Sequence, residues 1–329
     1  MQRRQFIVGL AGTALTWPAP ARAQTAPRLK LVGVSLSTAE GDPEGQARVR
    51  ALHQALQKLG WGEGSNVRFE YAWVGNDPDR ALALSRQLVD LAPDVIVSSG
   101  TVATVALHKV TQVIPVVFVN VTDPVAGGLV ASLSHPGGNM TGFTPFEYPI
   151  AGKWLERLRE VAPRLSRVAL LGDPNNHNFQ GFWHSFEPAA QRLGVKPLQM
   201  PARSAAEIEQ GLTALAGEPN GGIVVSAAAF SLQHRDLIFG LAARHRLPAV
   251  YWSRYFPQAG GLISYGPDTN GLVAQSASYV DRILKGERPE HLPVQEASKF
   301  ETVLNLKTAK ALGLVVPEQL LAQADEIIE

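Results

Sequence analysis

Val97-Ser98, Ile114-Pro115-Val116-Val117-Phe118 and Ala126-Gly127-Gly128-Leu129 follow one another in the first half of the chain, and a second set answers them. Val225-Ser226 is followed by Leu247-Pro248-Ala249-Val250-Tyr251 and then Ala259-Gly260-Gly261-Leu262. The spacing is 128 residues at the serines and 133 at both later points. Each set reads as a strand end, a helix, a β-branched strand and a glycine turn, which points to pseudo-duplication and two similar lobes. Around them, short β-branched runs alternate with amphipathic stretches. Strands are expected at 29–36, 67–74, 95–98 and 116–120, then at 168–171, 196–200, 223–226 and 249–252, with helices between. Several runs are apolar on both faces, as a parallel sheet covered by helices requires. The expected fold class is α/β, two doubly wound parallel-sheet lobes with a ligand cleft between them.

Ligands of open parallel sheets sit beyond the carboxyl ends of the strands, so facing lobes aim both sets of ends into one cleft. The segment 142–149 is the expected first crossing between lobes, and a second follows Gly266-Pro267. A third is expected near Ser298, between short strands at 292–297 and 302–306. Lobe 1 then takes 28–143 plus about 268–298, and lobe 2 takes 144–267 plus about 299–329. Three crossings make a hinge that bends without uncoupling the lobes.

Residues 1–23 read as a signal peptide. Arg3 and Arg4 precede an apolar run from Phe6 to Trp17, shorter than the roughly 20 residues a membrane span needs, and Ala21-Arg22-Ala23 ends it as an A-x-A cleavage site. Arg3-Arg4-Gln5-Phe6-Ile7 resembles a twin-arginine signal, with an ordinary secretory signal as the other reading. Cleavage takes the formal charge from +1 to −2 and leaves no basic stripe for nucleic acid or anionic lipid. With no cysteine there is neither a disulfide nor a lipid-anchoring thiol, and a periplasmic, freely soluble monomer is expected. The remaining length exceeds what one core usually serves.

Several strand ends offer ligand-binding groups. Ser37 and Thr38 lie on the first βα loop. Ser98-Ser99-Gly100-Thr101 opens a helix, where Thr101 caps and the N–H groups of Val102 and Ala103 face a ligand carboxylate, or Thr101 merely caps its own helix. Thr122 and Asp123 precede Pro124, so Asp123 either accepts from a ligand or caps a following helix. Asn176 and Asn178 belong to an amide-rich loop that could equally hold Asx turns. Arg254, in Trp252-Ser253-Arg254-Tyr255-Phe256, reads as a carboxylate clamp beside stacking rings or as a surface ion pair. Tyr265 stands at a crossing and is expected to close the cleft.

The chain resembles the ABC-type substrate-binding proteins that include tryptophan- and tyrosine-binding members. The matching stretches are Ile114-Pro115-Val116-Val117-Phe118, Asp123-Pro124-Val125-Ala126-Gly127-Gly128-Leu129 and His135-Pro136-Gly137-Gly138-Asn139-Met140-Thr141-Gly142. Gly260-Gly261-Leu262-Ile263-Ser264-Tyr265-Gly266 and Asn305-Leu306-Lys307-Thr308-Ala309-Lys310-Ala311-Leu312-Gly313 complete the set. The resemblance implies a type I periplasmic-binding-protein fold, permease subunits of an importer as partners, and a small-molecule ligand with no cofactor. One departure stands out: Ser226-Ala227-Ala228-Ala229-Phe230 is poor in polar groups where amino-acid-binding relatives would be expected to offer an acid or amide, leaving Ser226 as the hydroxyl there. No G-x-S-x-G, Walker lysine loop or H-E-x-x-H occurs, so the alternative, an exported α/β hydrolase or transferase, lacks a visible nucleophile–base pair. The expected ligand is a small carboxylate, an amino acid or aromatic acid.

Overall fold

The computed structural model describes residues 28–329, and the signal peptide expected at 1–23 lies outside them. The chain starts with β1 (Lys30–Leu36), α1 (Pro43–Lys58), β2 (Val67–Trp73), α2 (Pro78–Asp90), β3 (Val95–Ser99), α3 (Thr101–Val110), β4 (Val116–Val119) and β5 (Met140–Thr144). It crosses at 145–149 into α4 (Ile150–Val161), β6 (Arg167–Gly172), α5 (Asn178–Arg192), β7 (Lys196–Pro201), α6 (Ala205–Ala216) and β8 (Gly221–Val225). Next come α7 (Ala229–Gln233), α8 (Arg235–Arg244), β9 (Ala249–Tyr251), α9 (Tyr255–Gln258) and β10 (Ile263–Gly266). The chain returns to the first lobe for α10 (Thr269–Leu284) and β11 (Gln295–Glu296), then ends in the second with β12 (Glu301–Asn305), α11 (Leu306–Ala311), α12 (Glu318–Gln323) and β13 (Glu326–Ile328).

The first sheet has the order β11-β5-β4-β3-β1-β2 and is parallel throughout. The second runs β13-β12-β10-β9-β8-β6-β7, parallel except where β12 pairs antiparallel with β10. Strand order reverses between β1 and β3 in one lobe and between β6 and β8 in the other, and those switch points are where doubly wound sheets leave a crevice. This is the type I periplasmic-binding-protein architecture.

Alternation along the strands explains the layers. Val32, Val34 and Val97 pack with Leu52 and Leu56 of α1 and Val273 and Val280 of α10, while Ile96 and Phe118 pack with Leu88 of α2 and Leu107 of α3. Lobe 2 gathers Trp154, Phe182, Phe186, Val224 and Tyr251 into one cluster. Each such fully buried side chain is worth about 1.5–3 kcal/mol. Asp42 and Asp77 cap α1 and α2 through their carboxylates, each followed by a proline at the first helical position.

The strands β5, β10 and β13 go beyond the sequence expectation, and the expected strand at 292–297 shrinks to two residues. Glycine hid the first two. A Cβ on Gly142 would stand 1.9 Å from the Phe118 carbonyl oxygen, and one on Gly266 the same 1.9 Å from that of Trp252. These glycines let β5 and β10 approach β4 and the end of β9 closely, in equivalent places of the two lobes.

Candidate ligand-binding site

The loops leaving β1, β3 and β4 meet those leaving β6, β8 and β9 across a chamber with a free volume of about 40 Å³. Lobe 1 lines it with Ser37, Arg48, Gly100, Thr101, Val102, Asn120 and Thr122. Phe146 at the crossing, Asn176, Ala227–Ala229, Leu232 and Trp252 close the other side. The volume admits a few waters; ligand pockets usually measure about 300–1,000 Å³. With the lobes as they stand, this chamber has less room than such a ligand needs, while the cleft mouth beside it is wider, at about 780 Å³.

Arg48 dominates the chamber, and the sequence reading passed over it. The buried face of α1 carries Glu44, Arg48, Leu52 and Leu56 at four-residue steps. Its first two members are charged, and that interruption of an apolar stripe is the signal that could have found the site. Arg48 is only 4% exposed. Its Nη1 donates to Ser99 Oγ at 3.3 Å and its Nη2 to Glu44 Oε1 at 3.4 Å, while Nε has no partner among the described residues. Thr269 Oγ1 also donates to Glu44 Oε1, at 3.3 Å. A buried guanidinium held by such long bonds is a strong seat for an anion.

Asn120, at the end of β4, has a left-handed backbone with φ 57°. Its Nδ2 donates to the Thr269 carbonyl at 3.4 Å, and its Oδ1 is buried without a partner among the described residues. Thr122, also buried, lines the chamber beside it. Trp252 donates Nε1–H to Ser231 Oγ at 3.1 Å, which fixes the indole in the lobe 2 wall.

The start of α3 differs from expectation. Gly100, not Thr101, occupies the cap position, and Ser37 Oγ fills the helix end by accepting from Ala103 N at 2.9 Å. Thr101 Oγ1 instead accepts from Asn178 Nδ2 across the cleft at 3.1 Å. Val102 stays on the chamber wall, whereas the Ala103 N–H is already used.

Most of the other candidates fall outside the chamber. Asp123 caps a turn at 124–128 rather than a helix, its Oδ1 accepting from Ala126 N at 3.0 Å. Asn178 is buried and binds the Tyr148 hydroxyl at 3.0 Å as well as Thr101, so it ties lobes together. Asn176 lines the chamber while its Oδ1 accepts from Asn178 N. Ser226 is buried against Gly172. Of the two readings of Arg254 the structure shows the ion pair: its guanidinium pairs with Glu301 at 3.0 Å and with Glu326, because β12 and β13 bring two carboxylates to it. Tyr265 stacks on Phe300 at 5.6 Å beside the third crossing and does not line the chamber. Thr38 lies in the wider cleft mouth, near Trp73 and Arg235.

That mouth holds an ion pair between lobes, Arg235 Nη1 to Asp42 Oδ2 at 2.7 Å, with the partners 15% and 11% exposed. Burial opposes the Arg235 charge, but Asp42 outweighs it and holds the pKa above its ordinary value. Asn76 Nδ2 donates to Asp173 Oδ2 across the same gap at 3.2 Å. At the other edge, burial holds the His177 pKa below its ordinary value, against an upward pull from Asp123. Burial, reinforced by Asp123, pushes the Tyr148 hydroxyl up to about 12.

Comparison with known proteins bears on what such a cleft serves. The family described as ABC transporter substrate binding protein matches residues 36–328. A tyrosine-binding protein of Clostridioides difficile is 23% identical over 267 residues, 79% of this chain and 75% of that protein. A conserved domain protein of Vibrio cholerae has a crystal structure 29% identical in sequence, with a TM-score of 0.85 over 91% of this chain and 100% of its own. An ABC domain in complex with L-Trp from Streptococcus pneumonia shares the fold at 23% identity and a TM-score of 0.84, again covering 91% of this chain and 100% of that one.

Proposed function

The chain belongs to the ABC transporter substrate-binding protein family, and from that premise we propose that it is exported, clasps a small carboxylate between its lobes and hands it to permease subunits for import. The observation that carries the carboxylate is Arg48, buried and loosely held on the chamber wall. Around it Asn120, Thr122 and Thr101 offer polar groups, and Val102, Phe146, Leu232 and Trp252 offer an apolar surround for the ligand's body. Hinge closure follows from the three crossings: a ligand that touches both lobes favours the closed state by its differential affinity. The reading of residues 1–23 as an export signal of twin-arginine type supports a periplasmic setting for this work. Among the described residues no histidine or carboxylate lines the chamber, so its hydroxyls have no base and the hydrolase or transferase alternative finds no support there.

A thermal-shift screen of the mature protein against amino acids, aromatic acids, sugars and nucleosides tests this reading. A ligand at about a hundredfold over its Kd adds roughly 2.7 kcal/mol to stability. The expected result is a carboxylate hit that disappears in Arg48→Met. A sugar or nucleoside hit retained in Arg48→Met contradicts the carboxylate reading.

A further inference from the structure

The chamber has a guanidinium on its wall and, among the described residues, no carboxylate to offset an ammonium. Among the described residues, Arg48 is the ionisable side chain that lines it. The neighbouring acids are all engaged elsewhere. Glu44 sits behind Arg48 and takes both the guanidinium and the Thr269 hydroxyl. Asp123 lies outside the lining and caps its own turn, and Asp173 accepts from Asn76 and from the Asn175 backbone. From the other lobe the chamber is lined by Ala227, Ala228 and Ala229, which offer a ligand amine no side-chain acceptor. An α-amino acid would bring its ammonium into this space as a desolvated charge with no protein carboxylate to pair with and, once its own carboxylate is on Arg48, a cation nearby, an arrangement that buried sites avoid.

A neutral acceptor without a partner does wait there. Asn120 Oδ1 is buried and has no partner among the described residues, and the bond from Nδ2 to the Thr269 carbonyl sets which way the amide points. A buried acceptor left unpaired is costly, and an uncharged O–H donor satisfies it without importing a charge. We infer that the preferred ligand is a hydroxycarboxylate, its carboxylate on Arg48 and its hydroxyl donating to Asn120 Oδ1, rather than an α-amino acid. This rests on the carboxylate reading of the chamber and narrows it.

Calorimetric titration of the mature protein with matched pairs provides the test: lactate against alanine, 3-phenyllactate against phenylalanine, and indole-3-lactate against tryptophan. In the best-binding pair the hydroxy acid is expected to bind at least about tenfold more tightly than the amino acid. Asn120→Asp, a change tolerated in a left-handed backbone position, supplies the missing carboxylate and should reverse that order. An amino acid that binds the wild type as well as its hydroxy partner overturns the inference and leaves the carboxylate site standing. If no member of any pair binds, the carboxylate reading falls and the inference with it.

Discussion

Lobe 1 and lobe 2 repeat one order of strands and helices, yet they bring different chemistry to the chamber they share. From lobe 1 come Ser37 just after β1, Arg48 on the buried face of α1, and Asn120 and Thr122 just after β4. The corresponding rim of lobe 2 presents Ala227–Ala229, Leu232 and Trp252, with Asn176 as its polar contribution. A duplicated scaffold fixes where a ligand sits, because both sheets aim their carboxyl ends at the same gap. It does not fix which side anchors. On the proposed reading the anchor is in lobe 1 and lobe 2 acts as an apolar cover.

The largest expected effect comes from removing the anchor. Arg48→Met should weaken carboxylate binding by about a hundredfold or more, since a charged hydrogen-bonding partner is lost from a desolvated site. It also strands Glu44, so the melting temperature should fall, and breaking a buried pair costs about 3–5 kcal/mol. If lobe 2 is only a cover, Trp252→Ala should behave differently. Loss of its buried indole should destabilise the fold by about 3–5 kcal/mol, read by chemical denaturation, while folded protein retains carboxylate selectivity. Equal loss of selectivity in both variants would break the comparison.

The contacts between lobes give smaller effects that sharpen it. Arg235→Ala removes the ion pair to Asp42 at the cleft mouth and should shift the unliganded protein toward the open form by about 1–2 kcal/mol. Small-angle scattering reads this as a larger radius of gyration, and raised salt should mimic it in the wild type. Asn178→Ala, which removes the bonds to Thr101 and Tyr148, should do the same by about 1 kcal/mol. The smallest effect concerns pH. Burial holds the His177 pKa below the ordinary 6.5, so the folded, closed form prefers the neutral ring. Its contribution is complete above that pH and is lost as pH falls through the depressed value. His177→Gln should flatten the acid side of the melting curve, with His53 and His234, also lowered by burial, accounting for what remains.

The fold was legible because parallel strands buried on both faces leave continuous β-branched runs such as Val95-Ile96-Val97 and Val116-Val117-Phe118. β5 and β10 were not, since Gly142 and Gly266 look like turn residues until the neighbouring backbone is seen against them. The site was legible by position more than by residue. Ser37, Thr101, Val102, Thr122 and Asn176 do line the chamber. Arg254 does not, because the carboxylates that claim it come from β12 and β13, far away in sequence. Arg48 escaped notice for the converse reason: a helix arginine looks solvated unless the four-residue spacing from Glu44 to Leu56 is followed down the buried face.

The most direct test of the lobe 1 anchor is a calorimetric comparison of one bound carboxylic acid with its methyl ester, which keeps the body and removes the charge. The ester should bind at least about a hundredfold more weakly to the wild type, and Arg48→Met should erase the difference between them. Equal affinity of acid and ester for the wild type would contradict an anionic anchor at Arg48 and place the recognition in the apolar cover instead.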